Sequence, residues 1–185
     1  MNRGKSIRYI AGAAGVLLLA FLVVLAMAKP GDSESASSPL LGQAAPVVKS
    51  TTIGGGDFDL ARRKGSWVVL NFFNSTCVPC RQEHPFLVDF AKEQESSDNA
   101  VELYTVVNDD ADGPVQAFFD ANGGDWPVVR DDDGAISVAF GVAKVPESWV
   151  IDPNGFVRLR IMGALTRGFL TSRLDELKTQ FAGGQ

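Results

Sequence analysis

Two cysteines stand two residues apart in Cys77-Val78-Pro79-Cys80, and the chain has no others. A thiolate beside a second thiol can attack a disulfide, form a mixed disulfide and be displaced by its neighbour, which is thiol–disulfide exchange. The same spacing also occurs as half of a zinc site. Both cysteines are used in one motif, so no thiol is left for a separate structural disulfide. The pair is redox-active, metal-binding or idle, and its context favours the first. Cys77 is expected to be the nucleophile and Cys80 the resolving thiol, with Val78 and Pro79 stiffening the loop between them. Glu83 lies three residues after Cys80, on the same face of a helix. Buried there, its carboxyl would have a raised pKa and could exchange protons with the thiol pair. Exposed, it would be an ordinary glutamate in the first turns of a helix. His84, the one histidine, would bring the set to three ligands, one short of a closed zinc site. It is expected to face solvent, and neither a metal nor a cofactor is expected.

The flanking residues say what positions this motif. Trp67-Val68-Val69-Leu70-Asn71-Phe72-Phe73 reads as a buried strand. Beyond the cysteines, Phe86, Leu87, Phe90 and Ala91 have helical spacing, so the pair sits where a strand turns into a helix of about 79–95. Ser75 or Thr76 is expected to cap that helix, and Pro79 is tolerated in its first turn, while Pro85 falls inside it. The unpaired N–H groups at a helix start favour a thiolate on the first sulfur.

Further along, Val101–Val107 is predicted as a strand. Gly113–Ala121 is predicted as a helix with Val115, Phe118 and Phe119 on one side, and Ala135–Phe140 as a short helix. Ser148–Ile151 and Phe156–Met162 are predicted as a hairpin turned by Asp152-Pro153-Asn154-Gly155. A last helix over Thr166–Phe181 buries Leu170, Leu174, Leu177 and Phe181. Asn108–Gly113 resembles a calcium loop, but Phe119 stands where the bidentate glutamate is needed, so a solvated acidic loop is expected. Asp131–Asp133 is expected to be a plain turn. The element order implies an α/β fold with a mixed central sheet covered on both faces.

Net charge is −5 over 185 residues, unevenly spread. The first 29 residues carry Arg3, Lys5, Arg8 and Lys29 and no acid, leaving 13 basic and 22 acidic residues in the rest. An acidic body without a basic stripe argues against nucleic-acid binding. Residues 9–28 are uncharged and almost wholly apolar, long enough for a spanning helix, and Arg3, Lys5 and Arg8 would hold the N-terminus in the cytoplasm. An uncleaved signal anchor is favoured over a cleaved signal peptide, although Ala26-Met27-Ala28 has a cleavage-site form. The expected organisation is a cytoplasmic stretch 1–8, a transmembrane anchor 9–28, a solvated linker 29–42, a folded domain 43–182 and a tail 183–185. The domain would then sit on the extracytoplasmic side of the cell membrane, on a single-pass anchor.

Over roughly 42–181 the chain resembles the membrane-anchored, thioredoxin-like thiol–disulfide oxidoreductases of the TlpA, ResA and CcmG (DsbE) group. The residues that carry the resemblance are Ala45-Pro46, Val69-Leu70-Asn71-Phe72-Phe73, Cys77 through Pro85, Gly141-Val142 through Val145-Pro146-Glu147-Ser148, and Val150-Ile151-Asp152-Pro153-Asn154-Gly155. The resemblance implies a thioredoxin fold with Pro146 cis beside the two sulfurs, Val145, Pro146 and Glu147 shaping the substrate groove, and Glu83 as the active-site acid. It also implies reduction of protein disulfides, with apocytochrome c as a candidate partner and a transmembrane electron donor. One departure is Thr76, which stands where that group usually has Trp. The rival roles are a disulfide-forming oxidant for exported proteins, a copper- or haem-handling chaperone, and a non-catalytic binding domain. A peroxiredoxin would need proline and threonine where Leu70 and Asn74 stand.

Overall fold

The computed structural model describes residues 12, 14–21, 23, 34–97 and 99–183. The chain divides into two compact units, Met1–Gly31 and Asp32–Gln185. In the first, residues 14–21 are helical, and Val16, Leu17, Leu18, Leu19 and Phe21 are 60 to 71% exposed. Much of the expected 9–28 anchor, and all of 1–8, lies outside the described residues. Among the described residues no helix is long and apolar enough to cross a membrane.

The second unit is built on a six-stranded sheet in the order β1-β8-β7-β4-β5-β6. The strands are β1 (Glu34–Ser35), β4 (Trp67–Phe73), β5 (Val101–Val107), β6 (Val128–Arg130), β7 (Glu147–Ile151) and β8 (Val157–Met162); β2 (Lys49–Thr51) and β3 (Asp57–Asp59) form a separate two-stranded ribbon. β4, β5 and β6 run parallel, while β7 and β8 run antiparallel to their neighbours. A parallel pair needs a long crossover. The helices α1 (Val78–Glu95) and α2 (Asp112–Asn122) supply those crossovers from β4 to β5 and from β5 to β6. The chain closes with α3 (Ala135–Phe140) before β7 and α4 (Phe169–Gly183) after β8.

Every residue of β4 is buried, because both faces of the sheet are covered and a strand so placed is apolar on both sides. Val68, Leu70 and Phe72 point into one core layer with Phe58, Tyr104, Phe140 and Trp149. Trp67 and Val69 point into the other with Leu87 and Phe90 of α1 and Leu170 and Leu174 of α4. Asn71 alternates with the first set, so it faces the α1 layer.

Several expectations need correction. The segment 29–42, expected to be a solvated linker, contains β1, which pairs Glu34 with Met162 and Ser35 with Ile161. Leu40 and Leu41 pack against the core, so the domain takes in residues before 43. The signal for this lies in β8, whose outer edge needs hydrogen-bond partners. The last helix begins at Phe169 rather than Thr166, since Gly168 holds a left-handed φ of 71°. Asp131 is not a plain turn residue. It is buried, and its carboxylate accepts from Ile136 N, Ser137 N and Ser137 Oγ at 2.7 to 2.9 Å, starting α3.

Candidate active site

The helix start is built by the cysteines themselves. Cys77, not Ser75 or Thr76, is the N-cap of α1, and its Sγ accepts from Cys80 N at 3.2 Å. Thr76 is occupied upstream, its N and Oγ1 both donating to Asn74 Oδ1. Pro79 falls in the first helical positions, where its missing N–H breaks no helical bond. Cys77 and Cys80 are joined as a disulfide. The first sulfur is half-buried and reachable, whereas Cys80 is fully buried between Phe73, Val107 and Phe118.

The loop before Cys77 is held from both sides. Asp110 Oδ2 accepts from Ser75 N at 2.6 Å, and Arg81 donates to Ser75 O at 3.1 Å while lying over the Phe118 ring. Asn74 Nδ2 donates to Asp109 O at 2.9 Å. The acidic loop after β5 is therefore a brace for the site rather than a purely solvated turn. Replacing Asp110 by Ala should cost about 1 to 2 kcal/mol in a urea titration, because it removes a charge-assisted hydrogen bond. Asp110→Asn should retain most of that stability, since an amide oxygen can still accept from Ser75 N.

Opposite the sulfurs, the Val145–Pro146 peptide is cis. Cys77 Sγ lies 3.7 Å from Val145 O. Beside it in the chain Val78 (62% exposed) and Pro79 are exposed on α1, and Val145 is half-buried, so apolar side chains flank the sulfur. Glu147 does not line this groove with its side chain. It is 1% exposed and its carboxylate accepts from Trp149 Nε1 (2.8 Å), Arg160 Nε (2.9 Å) and a second Arg160 nitrogen (3.0 Å). The same guanidinium reaches Gly141 O at 3.5 Å, so Arg160 ties both ends of the 141–147 loop.

Beneath Cys80, Glu83 is 1% exposed. Its Oε1 accepts from Asn71 Nδ2 at 2.8 Å and its Oε2 from Leu165 N at 2.7 Å. Burial outweighs those two hydrogen bonds and pushes the carboxyl up to about 7. That ordering is physically sound: desolvating a carboxylate costs several kcal/mol, and among the described residues no cation pairs with it to offset the loss. An acid poised near neutrality, one turn from the resolving cysteine, can take and return a proton.

His84 does not face solvent. Cys80, Glu83, His84, Leu87 and Phe90 form the inner stripe of α1, and the ring is packed edge-on against Phe118 and Phe119. It shares a hydrogen bond with Gly123 O at 2.8 Å, and burial lowers its pKa. Gly124, at φ 110°, permits this packing, because a Cβ there would stand 3.0 Å from Phe119 and Trp126 and 3.2 Å from His84. Among the described residues no cluster of His, Cys, Asp and Glu could hold a metal ion.

The expected residues Cys77, Cys80, Val78, Pro79, Val145 and Pro146 thus meet in one place, with Glu83 directly below. Sequence reasoning gave no role to Asn71, Asp110 or Arg160. Asn71 carried a signal all the same: a carboxamide inside a wholly apolar strand must find partners.

Residues 41–160 match the AhpC/TSA family. The chain is similar to the thiol:disulfide interchange protein HelX of Rhodobacter capsulatus, at 31% identity over 174 residues, covering 86% of this chain and 94% of that protein. It is similar to the thiol-disulfide oxidoreductase ResA of Bacillus thuringiensis, at 30% over 137 residues, covering 74% and 78%. Among solved structures, dsbF of MTB in its mixed oxidized and reduced forms superposes with a TM-score of 0.64 at 26% identity, covering 70% of this chain and 94% of that one. A thiol:disulfide interchange protein of the thioredoxin family from Chlorobium tepidum TLS gives 0.60 at 26%, covering 71% and 91%.

Proposed function

From a chain that belongs to the AhpC/TSA family and is a thioredoxin-like thiol–disulfide oxidoreductase, we propose an extracytoplasmic, membrane-tethered reductant of protein disulfides. The observation that carries this reading is the division of labour between the sulfurs: Cys77 half-buried at a helix start beside Val145 O, Cys80 sealed above Glu83. Cys77 thiolate attacks a partner disulfide and the partner's second sulfur leaves as thiolate. Cys80, losing its proton, then attacks Cys77 Sγ, and the reduced partner departs from a Cys77–Cys80 disulfide. Two electrons have passed to the partner, and a membrane-embedded thiol donor must return them.

The acid supports this direction. Above about pH 7 an ionised Glu83 opposes a second negative charge one turn away, which disfavours a thiolate in the reduced pair and lowers the potential. Resemblance to the CcmG branch supports apocytochrome c as the partner. The tether is supported by the apolar 9–28 run and by the exposed side chains of Val16 to Leu19 and Phe21.

Equilibration of the protein with thiol buffers tests the direction. A potential near that of thioredoxin, about −270 mV, is expected. A value near that of DsbA, about −120 mV, would instead make the protein a disulfide-forming oxidant. Fractionation should recover it with membranes, and a mature N-terminus at Lys29 would contradict the tether. The family also holds peroxide-reducing chemistry, but Leu70 is fully buried in β4 and Asn74 is spent on the Asp109 carbonyl.

A further inference from the structure

The side chain of Asn71 is fully buried at the middle of β4. Its Nδ2 donates both to Glu83 Oε1 at 2.8 Å and to Ser148 Oγ of β7 at 3.1 Å. Its Oδ1, also buried, has no hydrogen-bond partner. An orphaned carboxamide oxygen in a core costs stability unless some state of the protein uses it.

Glu83 supplies that state. Its second oxygen is fixed by Leu165 N, a backbone donor that cannot turn over. When Glu83 takes a proton, the new O–H on Oε1 would face Nδ2, donor against donor. Rotation of the Asn71 carboxamide by half a turn exchanges its oxygen and nitrogen. Oδ1 then accepts from the Glu83 hydroxyl, and Ser148, whose hydroxyl can accept or donate, turns with it. In either orientation one amide group lacks a partner, so the fold locks neither and the proton selects between them.

We propose that Asn71 is a positioning residue for the exchange reaction, a turnover amide that donates to ionised Glu83 and accepts from protonated Glu83 through the contact observed between the two side chains. This rests on the oxidoreductase reading for its proton source. In the resolving step the Cys80 thiol gives its proton to the Glu83 carboxylate, and the Cys80 thiolate displaces the partner's sulfur from Cys77. The Cys77–Cys80 bond forms as the mixed disulfide breaks, with Asn71 turning as the proton arrives. The groups acting on the Glu83 carboxylate are the Asn71 amide from β4 and the Leu165 N–H that follows β8. Ser148 of β7 stands behind the amide, and Cys80 lies a turn earlier on α1. The raised Glu83 pKa places this change near neutral pH.

NMR of the reduced protein tests the assignment. The Asn71 side-chain NH2 resonances should shift with the same midpoint as the Glu83 carboxyl carbon. In Glu83→Gln, where the amide mimics the protonated acid, they should match the low-pH wild type and lose their pH dependence. In Asn71→Ala the Glu83 midpoint should rise by about one pH unit, because the donor to the charged form is the stronger bond lost. The pH profile of mixed-disulfide resolution should move with it. Asn71 resonances that ignore the Glu83 titration, or that match the high-pH wild type in Glu83→Gln, would overturn the proposal even if Asn71→Ala failed to fold. Wild-type protein inert toward disulfides would overturn the oxidoreductase reading instead, while the amide titration decides the Asn71 assignment by itself.

Discussion

Replacing Cys80 by Ser should leave Cys77 covalently joined to its partner's sulfur and slow turnover by about a thousandfold or more. The argument is geometric. Cys77 is the half-buried cap that the partner can reach, and Cys80 follows within one helical turn, bonded to it in the oxidised state. An intramolecular thiol so placed acts at an effective concentration far above that of any thiol in solution, so losing it strands the mixed disulfide. Cys77→Ser should capture nothing, because Cys80 is fully buried. Non-reducing electrophoresis after incubation with a disulfide-bonded protein reads both outcomes. Brief alkylation of the reduced protein near neutral pH should label Cys77 first. Covalent capture by Cys77→Ser, or preferential labelling of Cys80, would reverse the assignment.

The second large effect concerns stability against pH. Glu83 has a folded pKa of about 7, against 4.5 as the ordinary value. The folded protein therefore holds this proton more tightly than the unfolded chain does. Stability that is full below about pH 4.5 is lost as pH rises through about 7, and the loss is complete only above it. The gap corresponds to about 3 kcal/mol. Urea titrations of the oxidised wild type and Glu83→Gln at pH 5 and pH 8 isolate it, since the variant lacks the titrating group. The wild type should lose about 2.5 kcal/mol of that relative to the variant between those two conditions, because the unfolded carboxyl is already largely ionised at pH 5. Parallel stability in both proteins would mean that Glu83 is not desolvated in solution.

Much of this site is legible in the amino-acid sequence. The β4 run, the helix after it and the i, i+3 step from Cys80 to Glu83 are local patterns, and local patterns survive folding. What escaped depends on partners distant in sequence. His84 follows Glu83 by one residue and looks like any polar helix residue until α2 brings Phe118 and Phe119 to it. Glu147 reads as an acid beside the groove until Arg160, thirteen residues on, closes on it from β8. Asp131 reads as a turn because nothing nearby shows that its carboxylate will be buried under α3. Thr76 keeps its local character, hydrogen-bonded to Asn74 and exposed, and so leaves the surface by Cys77 without a flat aromatic ring.

The strand β1 has a practical consequence for trimming the protein. Glu34 and Ser35 pair with the end of β8, Ala36 N donates to Arg160 O, and Gly42 N and Gln43 O bond the two sides of Val157. The residues from 34 to 43 therefore screen both ends of the outer edge of β8. A fragment cut at 43, the boundary suggested by composition alone, would bare most of that row of N–H and C=O groups, and unpaired strand edges recruit other chains. A fragment beginning at Asp32 carries its own shield. The few polar residues between the apolar N-terminus and the core thus do more than connect: they keep the sheet from templating its own aggregation.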